Sequence, residues 1–265
     1  FPSNDGFAFA GTLSDGSLRV CRQSLLADVA GSPSPSISLG ESKCTALGQA
    51  VYQSIGSALD GLRYFVTVGS HENDDGGHEI DSPLPAQFGN NSTTTFIPME
   101  NNGIAYNVGP SVNVKMPREG DAMLSPSSLL VAMRFARSNG QTGYRVRLVK
   151  AQGTGQNLTV QTPLAAEVCV AGSKAGFSFD ERFMVTHQYV DHNDPDQANL
   201  PIGSSNIVLV DLKTGQKARL TKMAAGRFAL FPHFRADGWL YFLVRDMNAN
   251  TEYVLATDAA LRMPQ

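Results

Sequence analysis

The chain has 265 residues, enough for one large domain or two small ones. Only 17% of them are charged, and a net charge of −3 gives no electrostatic case for a nucleic acid or an anionic membrane as partner. Gly is plentiful at 25, helix-forming runs are few, and no apolar stretch approaches the ~20 residues of a bilayer span, so strands and turns are expected, with no membrane span.

The chain begins at Phe1 rather than Met, which reads as a processed product with any leader already removed. The first segment, 1–45, carries "GTLSDGSLRVCRQ" (11–23), a polar corner at Asp15-Gly16 followed by an apolar run. Asp-Gly between apolar runs is the strongest short hairpin signal a single sequence offers. Cys21 and Cys44 share this early segment and are the expected pair if two of the three cysteines bridge, the third being Cys169. No Cys-x-x-Cys occurs, which disfavours haem attachment, thioredoxin chemistry and zinc ribbons.

The corner returns in "SALDGLRYFVTV" (57–68), in "MLSPSSLLVAMRF" (123–135), in "FSFDERFMVTHQY" (177–189) and in "FPHFRADGWLYFLVRD" (231–246). Taken at positions 15, 60, 127, 180 and 237, the corners stand 45, 67, 53 and 57 residues apart. Four-stranded propeller blades repeat at roughly 40–50 residues, and two polar insertions, 69–102 and 191–205, account for the excess. "YRVRLVKAQGTGQNLTVQT" (144–162) and "NIVLVDLKTGQKARLT" (206–221) each read as strand, turn and strand; "TEYVLATDAALRMPQ" (251–265) begins the same plan. Tyr144, Val146 and Leu148 alternate with Arg145 and Arg147, the pattern of a half-exposed strand.

These units resemble the TolB-like and WD40-like β-propeller repeat. That repeat has a polar corner written Ser-Pro-Asp-Gly, then an apolar strand, then a strand closing in Asp-x-x-x-Gly and Arg-Leu-Thr. The matching residues are Ser125-Pro126, Ser178-Phe179-Asp180, Asp211 to Gly215, Arg219-Leu220-Thr221, Phe231-Pro232 and Arg235 to Gly238. The resemblance implies an all-β fold, a single β-propeller over 1–265 with five blades of antiparallel strands; four blades or a cropped larger ring fit the same spacing. The first unit, 1–45, matches least, and the last is short of a fourth strand, which a strand around Phe7–Leu13 would supply by closing the ring.

In a propeller both insertions would leave second strands of blades and emerge on one face, and loops carry function more often than scaffold strands do. The first holds His71, Glu72, Asp74, Asp75 and His78; the second holds Asp191, His192, Asn193, Asp194 and Asp196, preceded by His187. Oxygen ligands at the spacing of Asp191, Asn193, Asp194 and Asp196 suit Ca2+, and His71 with His78 suits a transition metal. Pro195 and the absence of the required Gly exclude an EF-hand loop, and a solvated acidic turn is the plain alternative. His187, His192, Glu72, Asp74, Asp75 and His233 are the expected ligand or partner face, His233 because it sits on an innermost strand.

No Gly-x-Ser-x-Gly, Walker loop, Gly-x-Gly-x-x-Gly or His-Glu-x-x-His is present. The expectation is a secreted, periplasmic or cell-surface propeller that binds a protein partner or ligand, or serves in a larger assembly, without catalysis. Three overlapping or separate sequons, at Asn90, Asn91 and Asn157, agree with export. The alternative is a five-bladed glycoside hydrolase, for which Asp121 and Glu167 are the candidate inner-strand carboxylates.

Overall fold

The computed structural model describes residues 8–12, 17–27, 37–49, 52–57, 63–69, 88, 90–101, 106–136 and 142–263. They fold into antiparallel strands joined by turns and three short 3-10 segments, with no α-helix among the described residues. Five successive meanders follow one another along the chain. The first is β1 (Ala8–Thr12), β2 (Ser17–Ala27) and β3 (Ile37–Gln49). The second is β4 (Tyr52–Ser57), β5 (Arg63–Gly69) and β6 (Thr93–Asn101), whose outer edge is shared by β7 (Tyr106–Val108) and β8 (Val112–Lys115).

The third meander is β9 (Glu119–Leu124), β10 (Leu130–Ala136), β11 (Thr142–Leu148) and β14 (Leu164–Val168), with a small hairpin of β12 (Lys150–Gln152) and β13 (Thr159–Gln161) inserted before its last strand. The fourth is β15 (Ser173–Phe177), β16 (Phe183–Tyr189), β17 (Ser205–Asp211) and β18 (Lys217–Arg219). The fifth is β19 (Arg227–Phe234), β20 (Leu240–Asp246) and β21 (Thr251–Thr257). Their first strands stand side by side in chain order: β1 beside β4, β4 beside β9, β9 beside β15, β15 beside β19. Meanders placed edge-in around successive first strands are blades, and the chain is an all-β propeller.

Period-2 geometry explains why the central strands read as unbroken apolar runs. Alternate residues of one strand enter two different inter-blade cores. Val131 and Met133 of β10 face Phe65 and Phe96 of the second meander. Their neighbour Ala132 joins Tyr144 and Val146 against Phe177, Met184, Val208 and Val210 of the fourth. Phe183, Val185, Ile207 and Leu209 then pack on Ala229, Phe242 and Val244 of the fifth. A strand covered on both faces has no solvent side to mark with polar residues, hence the fully buried Ser205–Asp211.

The three corners within the described residues are built as their sequence predicts, while Asp15-Gly16 and Asp60-Gly61 lie outside those residues. The Ser125 hydroxyl accepts from Leu130 N at 3.0 Å, and the Ser178 hydroxyl from Phe183 N at 2.8 Å. Asp180 accepts from Arg182 N at 3.2 Å, and Asp237 from Trp239 N at 3.2 Å. Each of these three has one left-handed residue: Ser128 (φ 60°), Glu181 (φ 59°) and Gly238 (φ 84°). The Asp-x-x-x-Gly element of Asp211 to Gly215 returns at Asp246 with left-handed Asn250 (φ 51°) in the place of Gly215 (φ 74°). Asp211 and Asp246 each cap two backbone N–H groups of the following turn and hold Arg182 at 2.8 Å and Arg227 at 2.7 Å.

Three expectations need correcting. The segment 69–102 is not wholly an insertion, because residues 93–101 are β6 and pair with β5. Its threonines look polar in sequence, yet β-branched Thr is a good strand residue, and Thr94 and Phe96 are buried. The N-terminal strand does not complete the last blade: β1 pairs with β2, Phe9 opposite Cys21. Finally, the apolar runs of the last unit, 231–246, are not covered throughout: Phe231 and Trp239 are 41% and 39% exposed.

Candidate functional site

Each described inner strand from β9 onward breaks its register once. The break falls between Ala132 and Arg134 opposite β9, between Ser173 and Gly176 in β15, and between Leu230 and His233 in β19. A left-handed residue sits at each break: Asp121 (φ 52°), Lys174 (φ 54°) and Phe231 (φ 50°). Each stands seven residues before the left-handed residue of its own corner. A bulge of this kind re-aims a side chain out of the ladder. Left-handed backbone at a residue other than Gly, Asn or Asp is uncommon and costs of order 1–2 kcal/mol.

The three bulges gather a compact group near the axis, on the face where meanders begin and second strands end. Asp121 holds Arg134 at 2.6 Å, their side chains 11% and 12% exposed. Arg134 also lies over the Phe88 ring, 5.8 Å from its centre. Phe88 in turn lies on Gly120, where no Cβ would fit. One blade further, burial holds the Lys174 ammonium below its ordinary pKa, with Asp121 acting to raise it and Arg134 to lower it. The opposing charges place Lys174 within electrostatic reach of that ion pair.

His187 on β16 is buried at 2% exposure. Its Nδ1 accepts from Phe231 N at 3.4 Å, which assigns the ring proton to Nε2. Burial first, then the positive charges of Arg134 and Lys174, push its pKa down to about 3. Its ring meets Phe231 edge-on at 5.6 Å and Tyr189 at 5.5 Å, and Tyr189 meets Phe228 at 6.1 Å. Tyr189 is 53% exposed, so the aromatic row runs from the axis to solvent. Below it, the Tyr144 and Thr186 hydroxyls are bonded at 2.9 Å, and burial drives the phenol above its ordinary range.

The segment ends fall around this group. Asn90 accepts from Arg118 at 3.1 Å and Asn91 from Lys115 at 3.0 Å, tying the end of the first insertion to the start of β9. His71, Glu72, Asp74, Asp75 and His78 lie outside the described residues. In the second insertion the carboxylates bond their own loop. Asp191 accepts from Asn193 N and Nδ2 at 2.9 Å, and Asp194 from Asp196 N at 3.0 Å and Gln197 Nε2 at 2.7 Å. The ring nitrogen Nε2 of His192 bonds Leu200 O at 2.8 Å, and Asp196 O accepts from Arg219 at 2.8 Å. Among the described residues no group of three or more His, Cys, Asp or Glu side chains is arranged to hold a metal ion.

His233 is exposed on β19 opposite Tyr241, and it is Phe231 rather than His233 that meets His187. Glu167 is not on an inner strand: it lies on β14, the outermost strand of its sheet, paired with Arg145 at 2.9 Å. Arg145 and Arg147 also close on Glu119, which accepts three charge-assisted bonds of 2.6–2.8 Å at 1% exposure. A separate cleft of about 210 Å3 opens on the opposite, corner face, lined by Phe179, Arg182, Phe234, Gly238 and Leu261 among others. Its charged groups are already committed to corner turns and to Asp211.

Arg134, Lys174 and the exposed role of Phe231 escaped the sequence reading. The signal was present: 121, 174 and 231 each lie six residues before the corner positions 127, 180 and 237. Extending the repeat backwards from the corners finds Lys174 and Phe231, whereas Arg134 lies seven residues after its corner, as His187 does.

No known family's sequence profile and no curated protein matches the chain. Solved propeller structures are similar at the level of fold. TolB from Acinetobacter baumannii superposes with a TM-score of 0.42 at 11% identity, over 89% of this chain and 52% of that one. The β-propeller domain of Cps50 (Swd1) from Myceliophteria thermophila gives 0.41 at 9% identity, over 90% and 66%. Trypanosoma rangeli sialidase gives 0.46 at 8% identity, over 97% and 49%. The chain spans less than two thirds of the length of each. The class of the protein is therefore set by the order of its own first strands, β1, β4, β9, β15 and β19. Among the described residues no helix is long and apolar enough to cross a membrane.

Proposed function

We propose that this chain is an exported, non-catalytic binding propeller, whose ligand or protein partner docks at the axial mouth on the insertion face. One observation carries the reading: Asp121, Arg134, Lys174, His187, Tyr189 and Phe231 come together there, Asp121, Lys174 and Phe231 each at a bulge with left-handed backbone. Ionisable groups displaced by burial and by each other cluster at functional sites. Export is supported by the exposure of all three sequon asparagines, Asn90, Asn91 and Asn157.

The hydrolase alternative loses its pair. Asp121 and Glu167 stand on opposite edges of the sheet β14-β11-β10-β9. Three strand spacings put them roughly 14 Å apart, beyond the about 5–10 Å that a glycosidase pair requires. A panel of glycans, esters and peptides is expected to show no turnover, while a thermal-shift ligand screen gives hits. Hydrogen exchange with a hit bound is expected to protect 118–121, 172–174 and 187–200. Turnover abolished by an Asp121 substitution, or protection confined to the corners 178–182 and 235–239, would overturn the reading.

Ca2+ in the loop 191–196 is a separate proposal, motivated by its carboxylate density. A cation there would have to displace the bonds that Asp191 and Asp194 accept from their own loop. Melting with calcium and with chelator decides it: a Tm several degrees higher with calcium supports the site, and an unchanged melt with no metal after dialysis removes it.

A further inference from the structure

We propose that the chain pairs with a second copy of itself through the free edge of its last blade, β21 lying antiparallel to the second copy's β21 about a two-fold axis at Val254. The proposal is independent of the axial mouth. The first ground is the edge. β21 pairs with β20 without a break, from Thr251 opposite Asp246 to Thr257 opposite Leu240, and with no other described strand. Its side chains are exposed from Thr251 to Ala256. Val254, at 63%, is the most exposed large apolar side chain among the described residues, between Tyr253 and Leu255 at 42% each. The 3-10 turn Ala259–Arg262 that follows folds over the corner end of the blade instead of along β21. It places Ala260 in the core between the fourth and fifth meanders and Leu261 against Gly238.

The second ground is the contrast with the other rims. Sheet proteins blunt their edges with short strands, Lys, Pro or bulges. The outer strands of the second, third and fourth meanders do so. β7 and β8 have three and four residues, and β8 ends on Lys115. β14 follows Pro163 and breaks its register with β11. β18 is three residues, Lys217-Ala218-Arg219. β21 has seven, TEYVLAT, with no Lys, no Pro and no register break. Its Thr, Tyr and Val favour an extended backbone, and its outward N–H and C=O groups form a template for another strand.

The third ground selects the occupant, because the strand is complementary to itself. Antiparallel pairing of all seven residues has one register, Val254 opposite the second copy's Val254. It sets Tyr253 opposite Leu255 and Thr251 opposite Thr257, both favourable cross-strand pairs. The one charged side chain, Glu252, falls opposite Ala256, so no like charges meet. Glu252 is balanced within its own blade by Arg245. Pairing of this kind uses the edge of both copies and closes at two. The join is small against the roughly 1,200–2,000 Å2 of a stable interface, so the dimer is weak and reversible.

Sedimentation equilibrium of the whole chain tests this, from about 1 µM to about 1 mM, with a monomer–dimer Kd expected on the order of 10–100 µM. Val254→Lys and Val254→Glu each set like charges face to face at the axis and are expected to weaken the dimer by about tenfold or more. Mixed in equal amounts, the two variants are expected to recover it as a heterodimer. Unchanged melting curves verify that both variants fold. Hydrogen exchange is expected to show protection of 251–257 that rises with protein concentration. A chain that stays monomeric, assembly beyond two copies, a dimer indifferent to both substitutions, or a mixture of the variants that remains monomeric overturns the proposal. Protection of 251–257 at every concentration in a monomer overturns it as well, and assigns the edge to a segment of this same chain.

Discussion

Asp121, Lys174 and Phe231 share a backbone angle and a place in the repeat while differing in charge, size and polarity. At this scale the most consequential single residue is His187, which two of them touch or influence. In the folded chain its imidazole stays neutral to a pKa of about 3; in the unfolded chain it takes a proton near pH 6.5. The unfolded state therefore binds more protons between those values, so the stability is fully present above pH 6.5 and drains as pH falls. Of the groups facing it, Arg134 and Lys174 add repulsion to the imidazolium, and Tyr189 presents an aromatic ring. The slope should approach about 1.4 kcal/mol per pH unit below pH 6. Urea melts of wild type and His187→Gln from pH 7 to 4.5 check this; parallel slopes would show that His187 is not the proton acceptor. Asp211 and Asp246, held below the ordinary carboxylate range mainly by Arg182 and by the Ala249 N–H respectively, lose their contribution only at lower pH. The importance of His187 was visible in sequence only as a histidine beside aromatics. Its partner Phe231 is 44 residues away and joins it through a backbone N–H, which no residue pattern reveals.

Among the elements, the corners were legible and the bulges were not. A corner announces itself because Ser, Asp and Gly are chosen for local bonds within five residues, as Ser178 and Asp180 show. A bulge is a pairing property of two strands, and its left-handed residue is Asp, Lys or Phe with equal indifference. Strand β6 was hidden for a related reason: Thr93, Thr94 and Thr95 read as loop until β5 supplies their partners. The register between β2 and β3 carries an independent prediction. Cys21 stands directly opposite Cys44, and directly opposed residues have Cα atoms about 4.5–5.5 Å apart, within the range a disulfide spans. In oxidised protein the pair should lose two hydrogens to a disulfide oxidant such as oxidised glutathione, leaving only Cys169 open to alkylation. Bridging a loop of this length stabilises by roughly 3 kcal/mol. Intact mass and peptide mapping under non-reducing conditions check it; three alkylated cysteines would refute the pairing.

For the molecule as a whole, stability sits between the meanders rather than within them. Val131 and Ala132 are sequence neighbours serving different cores, as are Met184 and Val185. Each blade is thus unable to shed its neighbour without exposing both faces. We accordingly propose that the meanders joined by these three cores unfold as one cooperative unit. Met184→Ala, at a fully buried site, should cost about 2–5 kcal/mol. Calorimetry should record it as one transition displaced to lower temperature. Two resolved transitions, with only one displaced, would mean that the cores melt separately. The repeat made this architecture readable early, because turn chemistry and apolar runs recur at similar intervals. The axial mouth was not readable in the same way, because it is assembled from three successive meanders whose bulge positions, 121, 174 and 231, stand more than fifty residues apart.

That spacing has an evolutionary side. Because the bulges fix the main chain whatever residue occupies them, positions 121, 174 and 231 behave like interchangeable sockets on a common chassis. On the binding reading proposed above, a single codon change at any one of them would alter what the mouth prefers while leaving the neighbouring sockets and the inter-blade cores in place. New binding tastes would then be reachable one step at a time, each step adding no more than the cost of the left-handed backbone, on the order of 1–2 kcal/mol.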